Sequence, residues 1–185
     1  MIPYTSLSCD GTMADAAAKM LTAAPDHVLR RLEDLDAHMI GNEPVDVPTE
    51  HVIHAGMYAR TIVLPPDHVL TGALVKIATL LLVTGTVEML NGDAWQRLEG
   101  YNVLCGLPGR KQLIVTRSSV VLTMIFPTAA RTVAEAEEEF TDDFERLLSR
   151  RQNANAVRVT PALTGREAEL IDTEEICPEQ FRSER

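Results

Sequence analysis

A chain of 185 residues, 45% of them apolar, is long enough to bury one real core with appendages. Its longest apolar run, 77–83, falls far short of the roughly 20 residues of a membrane-spanning helix, and its start lacks the basic and apolar stretches of a secretory signal. The charge of −10 is uneven: −6 over 1–50, +3 over 51–132 and −7 over 133–185.

A mildly basic middle between acidic flanks argues against general nucleic-acid binding, because the flanks would repel phosphate. It also lets the flanks of one subunit lie on the middle of another, besides keeping the protein soluble. Cys9, Cys105 and Cys177 are odd in number, widely spaced and without a CxxC pair. They read as incidental thiols of a protein used in a reducing cytoplasm.

Residues 1–11 read as irregular, and an alanine-rich helix is expected over 12–24. A second helix, 26–40, starts at Asp26, carries Val28, Leu29, Leu32, Leu35 and Met39 on one face and stops at Gly41-Asn42. Residues 43–49 hold two prolines and read as an extended linker. From Tyr58 to Phe126 the pattern becomes short β-type runs: 59–64, 72–84, 87–90, 94–98, 101–105, 112–116 and 119–126. Turn residues separate them, with Asn91-Gly92 a strong hairpin signal. Many short strands at this spacing predict a sandwich or barrel. At Thr132 the period returns to helical. Thr132 and Glu135 form a capping-box pattern, and Val133, Ala136, Phe140, Phe144, Leu147 and Leu148 make an apolar stripe. Glu135, Glu137, Glu138, Glu139, Asp142 and Asp143 read as its solvated face. Residues 152–163 read as loose, a short helix is expected from Thr164 through Ile171, and 172–185 as a docking or disordered tail.

The runs at 56–72 and 82–112 resemble small single-domain cupins, and above all cupin-like proteins encoded by tailed phages. Four features carry the likeness: the stretch 50–60 entering the first barrel strand; Gly85 closing a long strand before Asn91-Gly92; the turn Pro108-Gly109-Arg110-Lys111; and a last strand ending Phe126-Pro127-Thr128 before an acidic helix. The resemblance implies a mainly β fold, a single cupin-type jelly-roll barrel with flanking α-helices at both ends, α+β overall. The expected division is 1–49 helical extension and linker, 50–131 barrel, 132–151 acidic helix and 152–185 tail.

Metal-binding cupins carry inward histidines and a glutamate. At the positions where the resemblance implies ligands, this chain has Val75, Ala78, Thr79 and Phe126, and the second motif offers Arg110, Lys111 and Gln112 in place of histidine. Alternation puts Val75, Ile77, Thr79 and Leu81 on one face, as it does Leu122, Met124 and Phe126, so side chains are expected to fill the barrel. No metal or cofactor is therefore expected. His51, His54 and His68 offer an alternative metal site at the barrel mouth, with surface or turn histidines as the bland alternative. Arg60, Lys76, Arg110 and Lys111 are candidates for binding an anion, against solvated strand-edge charges. No nucleophile motif, P-loop or GxGxxG is present.

The chain thus reads as a non-enzymatic cupin-fold module acting in structure, assembly or interaction, phage-encoded, in a virion or its morphogenesis, in the host cytoplasm or the particle. The alternative is a barrel that binds a small anion such as a nucleotide, or a cupin enzyme with a non-standard metal site. A homo-oligomer, dimer or higher, is implied by the resemblance, with other phage structural proteins as further partners and no membrane.

Overall fold

The computed structural model describes residues 19–39, 47–147 and 155–159. The expectations for 1–11, for 12–18 of the first helix, for the helix stop at Gly41-Asn42, for 43–46 of the linker, for 148–154 and for the tail beyond 159, with its short helix, lie outside them, as do Cys9 and Cys177. In chain order the elements are β1 (Met20–Leu21), α1 (Asp26–Met39), β2 (Thr49–His54), β3 (Met57–Leu64), β4 (Val69–Thr71), β5 (Thr79–Thr84), β6 (Val87–Asn91) and β7 (Ala94–Leu98). There follow β8 (Tyr101–Gly106), β9 (Leu113–Thr116), β10 (Val120–Pro127), α2 (Val133–Phe140), a 3-10 turn (Phe144–Arg146) and β11 (Asn155–Val159). No helix among the described residues is long and apolar enough to cross a membrane.

The strands form two sheets, ordered β1-β8-β5-β10-β3-β2-β11 and β4-β9-β6-β7. The run from β3 to β10 divides between them so that β3, β10, β5 and β8 are neighbours in one and β4, β9, β6 and β7 in the other. That order is a jelly roll of two Greek keys, the architecture of cupin barrels, so the chain is mainly β with two helices, as expected. Strand alternation sends Ile62, Leu64, Leu81, Val83, Leu122 and Met124 inward from the first sheet, to meet Val87, Met89 and Ile114 of the second in one core. The opposite residues, Leu80, Leu82, Val121 and Thr123, face outward, as the alternation predicts.

Several elements differ from the expectation, each for a tertiary reason. Residues 19–24 of the alanine-rich stretch are not helical. Met20 and Leu21 instead pair in parallel with Cys105 and Gly106, and Leu21 is fully buried. An open edge on β8 outweighs alanine's helix preference. A strand, β2, begins at Thr49, the last residue of the expected linker, and precedes the run 59–64 that was expected to be the first strand. It pairs with β3 through a two-residue turn, Ala55-Gly56, with both residues at positive φ (49° and 73°). The run 72–84 is not one strand: its first part leaves the sheet, tied by Val75 N–H to the Arg110 carbonyl and Gly109 N–H to the Val75 carbonyl (2.9 and 2.8 Å). Residues 155–159, expected to be loose, add β11 in parallel to β2.

The acidic helix is shorter than expected. Thr132 caps it by accepting from the Glu135 N–H (3.2 Å), whereas the Glu135 carboxylate accepts from the Arg131 N–H (2.8 Å) and not from the cap residue. It ends at Phe140, whose carbonyl accepts from the Lys76 N–H of the barrel (2.9 Å). Glu137 is not on a solvated face but fully buried. Both helices pack on their own barrel. Val28 and Leu32 of α1 sit against Leu90 and Leu113, and Phe140 of α2 meets the Phe126 ring at 6.0 Å. The acidic flanks meet the basic barrel within one chain: Asp36 pairs with Lys111 (2.8 Å) and Asp142 with Lys76.

Candidate anion site inside the barrel

The inward face of the first sheet is as apolar as expected, but it does not fill the barrel. Val75 and Thr79 are short side chains at inward positions, and a cavity of about 700 Å³ remains between the sheets. Ile62, Leu64, Val75, Leu81, Ile114 and Leu122 supply its apolar wall, and Leu35 and Met39 of α1 close part of it. Of the positions where family ligands were expected, Val75 lines the cavity and Thr79 is buried beside it. Ala78 is exposed, and Phe126 is committed to a ring cluster with Tyr58 (5.1 Å) and Phe140.

Three of the four anion candidates, Arg60, Arg110 and Lys111, line this one cavity, and Gln112 joins them. Lys76 does not. It points outward in opposite phase to Val75 and pairs with Asp142 across to the segment after α2. Lys111 is only 7% exposed, and its ammonium donates to the Asp36 carboxylate and the Gly72 carbonyl (2.8 and 2.9 Å). Arg60 lies directly across the ladder from Met124 and from His51. Burial pushes its guanidinium below its ordinary value, and the fields of Tyr58 and of buried Glu137 oppose the shift.

Arg110 is buried at high cost. It is 1% exposed, and no carboxylate pairs with it among the described residues. Its Nη1 donates to the Leu107 and Ile77 carbonyls over long distances (3.3 and 3.4 Å), its Nη2 to Thr79 Oγ1 and the Met124 sulfur (3.7 Å), and its Nε to nothing. Burial alone pushes its pKa down to about 10, so it stays charged at neutral pH. The chain makes room for it at Gly106, where a Cβ would lie 2.6 Å from the guanidinium carbon. A buried cation answered only by neutral acceptors is costly to the fold.

The histidines do not gather. His51 is fully buried and shares a 2.7 Å hydrogen bond with the Tyr58 hydroxyl. His54, three residues on, is on the other face of β2 and exposed. His68 sits in the turn before β4 with its ring on the Pro66 carbonyl (2.6 Å). Among the described residues no group of three or more His, Cys, Asp or Glu is placed to hold a metal ion. His68, Asp36 and Asp143 line the cavity but are not grouped to hold a metal, and the Asp36 carboxylate is taken by Lys111, so the lining does not make the donor set of a metal-binding cupin. Elsewhere, Ser118 is a turn residue accepting from the Thr86 N–H, and Trp95 and Tyr101 are exposed on the outer sheet faces. Sequence reasoning did not single out Asp36, Glu137 or Gly106. Gly106 stands two residues before the Pro108-Gly109 turn and had a local signal; the two acids had none.

No protein-family model and no curated protein matches the sequence. Among solved structures, the chain is similar to a cupin superfamily protein of Desulfitobacterium hafniense, with 14% identity over 50% of this chain and 86% of that one and a TM-score of 0.39. It is also similar to a cupin 2 conserved barrel domain protein of Salinispora arenicola (15%, 49% and 84%, 0.38). A third likeness is to a putative ethanolamine utilization protein Q of Salmonella typhimurium (14%, 49% and 76%, 0.39). The strand order of the two sheets, rather than these low identities, makes the chain a mainly β protein with a cupin-like fold.

Proposed function

We propose that the protein is a binding barrel for a small organic anion, held inside the jelly roll by Arg110. One observation carries this reading: a buried guanidinium without a carboxylate partner lines a largely apolar cavity of about 700 Å³. Cavities of roughly 300–1,000 Å³ with an apolar wall and a few convergent polar groups are typical ligand sites. A charge that weakens the empty fold is explained when a counter-charge arrives with the ligand. The test is thermal unfolding in sodium salts of chloride, hexanoate, benzoate, succinate and phosphate at matched ionic strength. At least one organic anion is expected to raise the midpoint saturably for the native chain and not for Arg110→Met. If every salt acts alike on both proteins, the reading is wrong.

A second reading, an oligomeric module, is favoured by the outer face of the larger sheet. Val63 lies opposite Val121, Leu82 opposite Val103, and Leu80 between Ile125 and Cys105. Val63, Leu80, Val103 and Val121 are all exposed, so apolar side chains stand on the outer face of all four strands, with Thr84 and Thr123 between the Val63–Val121 and Leu82–Val103 pairs. A second copy laid sheet to sheet would cover it in a symmetric dimer. A virion or its morphogenesis is the setting this reading gives such a dimer. The two readings are compatible, since one uses the barrel's inside and the other its outside.

A further inference from the structure

Resting on the anion reading, we infer that the ligand is a monocarboxylate with an apolar body, bound side-on to Arg110. The first argument is charge. The cations lining the cavity are Arg60, Arg110, Lys111 and Arg146, and the acids are Asp36 and Asp143. Lys111 is neutralised by Asp36, both of them at most 11% exposed. Arg60 lies in the attractive field of buried Glu137. Arg146 and Asp143 are exposed at the mouth, opposite in sign and bathed in solvent. Of these buried cations, Arg110 alone has no acidic side chain acting on it among the described residues. A phosphate monoester brings roughly 1.5 to 2 negative charges and would leave the excess unanswered in an apolar chamber.

Second, the guanidinium's poorly satisfied donors, buried as they are, have a definite shape. A Cβ at Gly106 would fall within 2.8 Å of Nε, Cζ and Nη1, so glycine there leaves the guanidinium its place. Both Nη1 bonds go to carbonyls, whereas Nη2 spends one on a thioether and Nε has no acceptor. Nε and Nη2 form the side edge of the guanidinium, which matches the two oxygens of one carboxylate. A carboxylate that takes the place of the Met124 sulfur gains two parallel charge-assisted bonds there. The third argument is the wall. Ile62, Leu64, Leu81, Ile114 and Leu122 offer no polar atom to a ligand body, and the space equals roughly twenty waters at about 30 Å³ each. An aliphatic or aromatic acid fits that wall.

Calorimetric titration of the full chain at pH 8 with hexanoate, benzoate, succinate and inorganic phosphate separates the outcomes. Hexanoate or benzoate is expected to bind at least tenfold more tightly than succinate or phosphate. Tighter binding of succinate or phosphate would overturn the monocarboxylate inference and leave the anion reading standing. No saturable binding of any of the four would sink both. Asp36→Asn adds one uncompensated charge at Lys111, so in a variant with native circular dichroism the succinate-to-benzoate affinity ratio should rise at least tenfold. An unchanged ratio there would contradict the charge count, and the native-chain ranking decides the matter if that variant does not fold.

Discussion

Arg110 is where sequence, fold and function meet. Below about pH 10 its charge is present folded and unfolded alike, and burying it weakens the native state. Relief comes only as the pH rises through about 10 toward the ordinary value of an exposed guanidinium. Replacing the guanidinium by an apolar chain of similar length should therefore leave the empty protein as stable or more stable, by about 1–3 kcal/mol. Anion affinity should be level between about pH 6 and 9 and fall above about pH 10, which a pH series of the titration checks. Gly106→Ala places a methyl on the guanidinium and should cost about 1–3 kcal/mol in urea unfolding. In Arg110→Met the same substitution should cost much less, a coupling that a double-mutant cycle measures. Arg110 and Lys111 were readable as candidates because cations replaced histidine in a turn of known kind. Their separate fates were not, since Asp36 lies 75 residues from Lys111 and nothing local announces it.

At the scale of elements, α1 is fixed to the barrel by the Asp36–Lys111 pair as well as by Val28 and Leu32. Asp36→Ala leaves a buried ammonium with only the Gly72 carbonyl, and should destabilise by about 3–5 kcal/mol in chemical denaturation. Lys76→Ala, whose pair with Asp142 is exposed, should cost less than about 1 kcal/mol by the same measurement. The barrel strands were readable because glycine, proline and asparagine punctuate a regular alternation. What local pattern could not show is long-range pairing. Met20 and Leu21 join a strand more than 80 residues away, and Glu137 turns inward because α2 lies along the barrel. The apolar stretch around Val75 leaves the sheet because its backbone bonds go to Arg110 and Gly109 instead.

At the scale of the molecule, the jelly roll separates two surfaces with different chemistry. The outer face of the larger sheet is apolar across Val63, Val121, Leu82 and Val103. Light scattering at micromolar concentration should give the mass of two chains, and Leu80→Glu should give one; a native chain of single mass would remove the dimer. The inner face encloses a chamber that a packed apolar lining was expected to fill, and the difference lies in residue size. Alternation shows which side chains point inward but not whether they meet across the gap. The decisive measurement is urea unfolding of the native chain and Arg110→Met with increasing sodium benzoate. The account predicts that the native chain gains stability with the logarithm of benzoate once the site saturates. The variant should start at least as stable and gain nothing. A variant that starts more than about 2 kcal/mol lower, the scale of a lost structural contact, and then gains as much as the native chain would make Arg110 part of the scaffold and contradict the account.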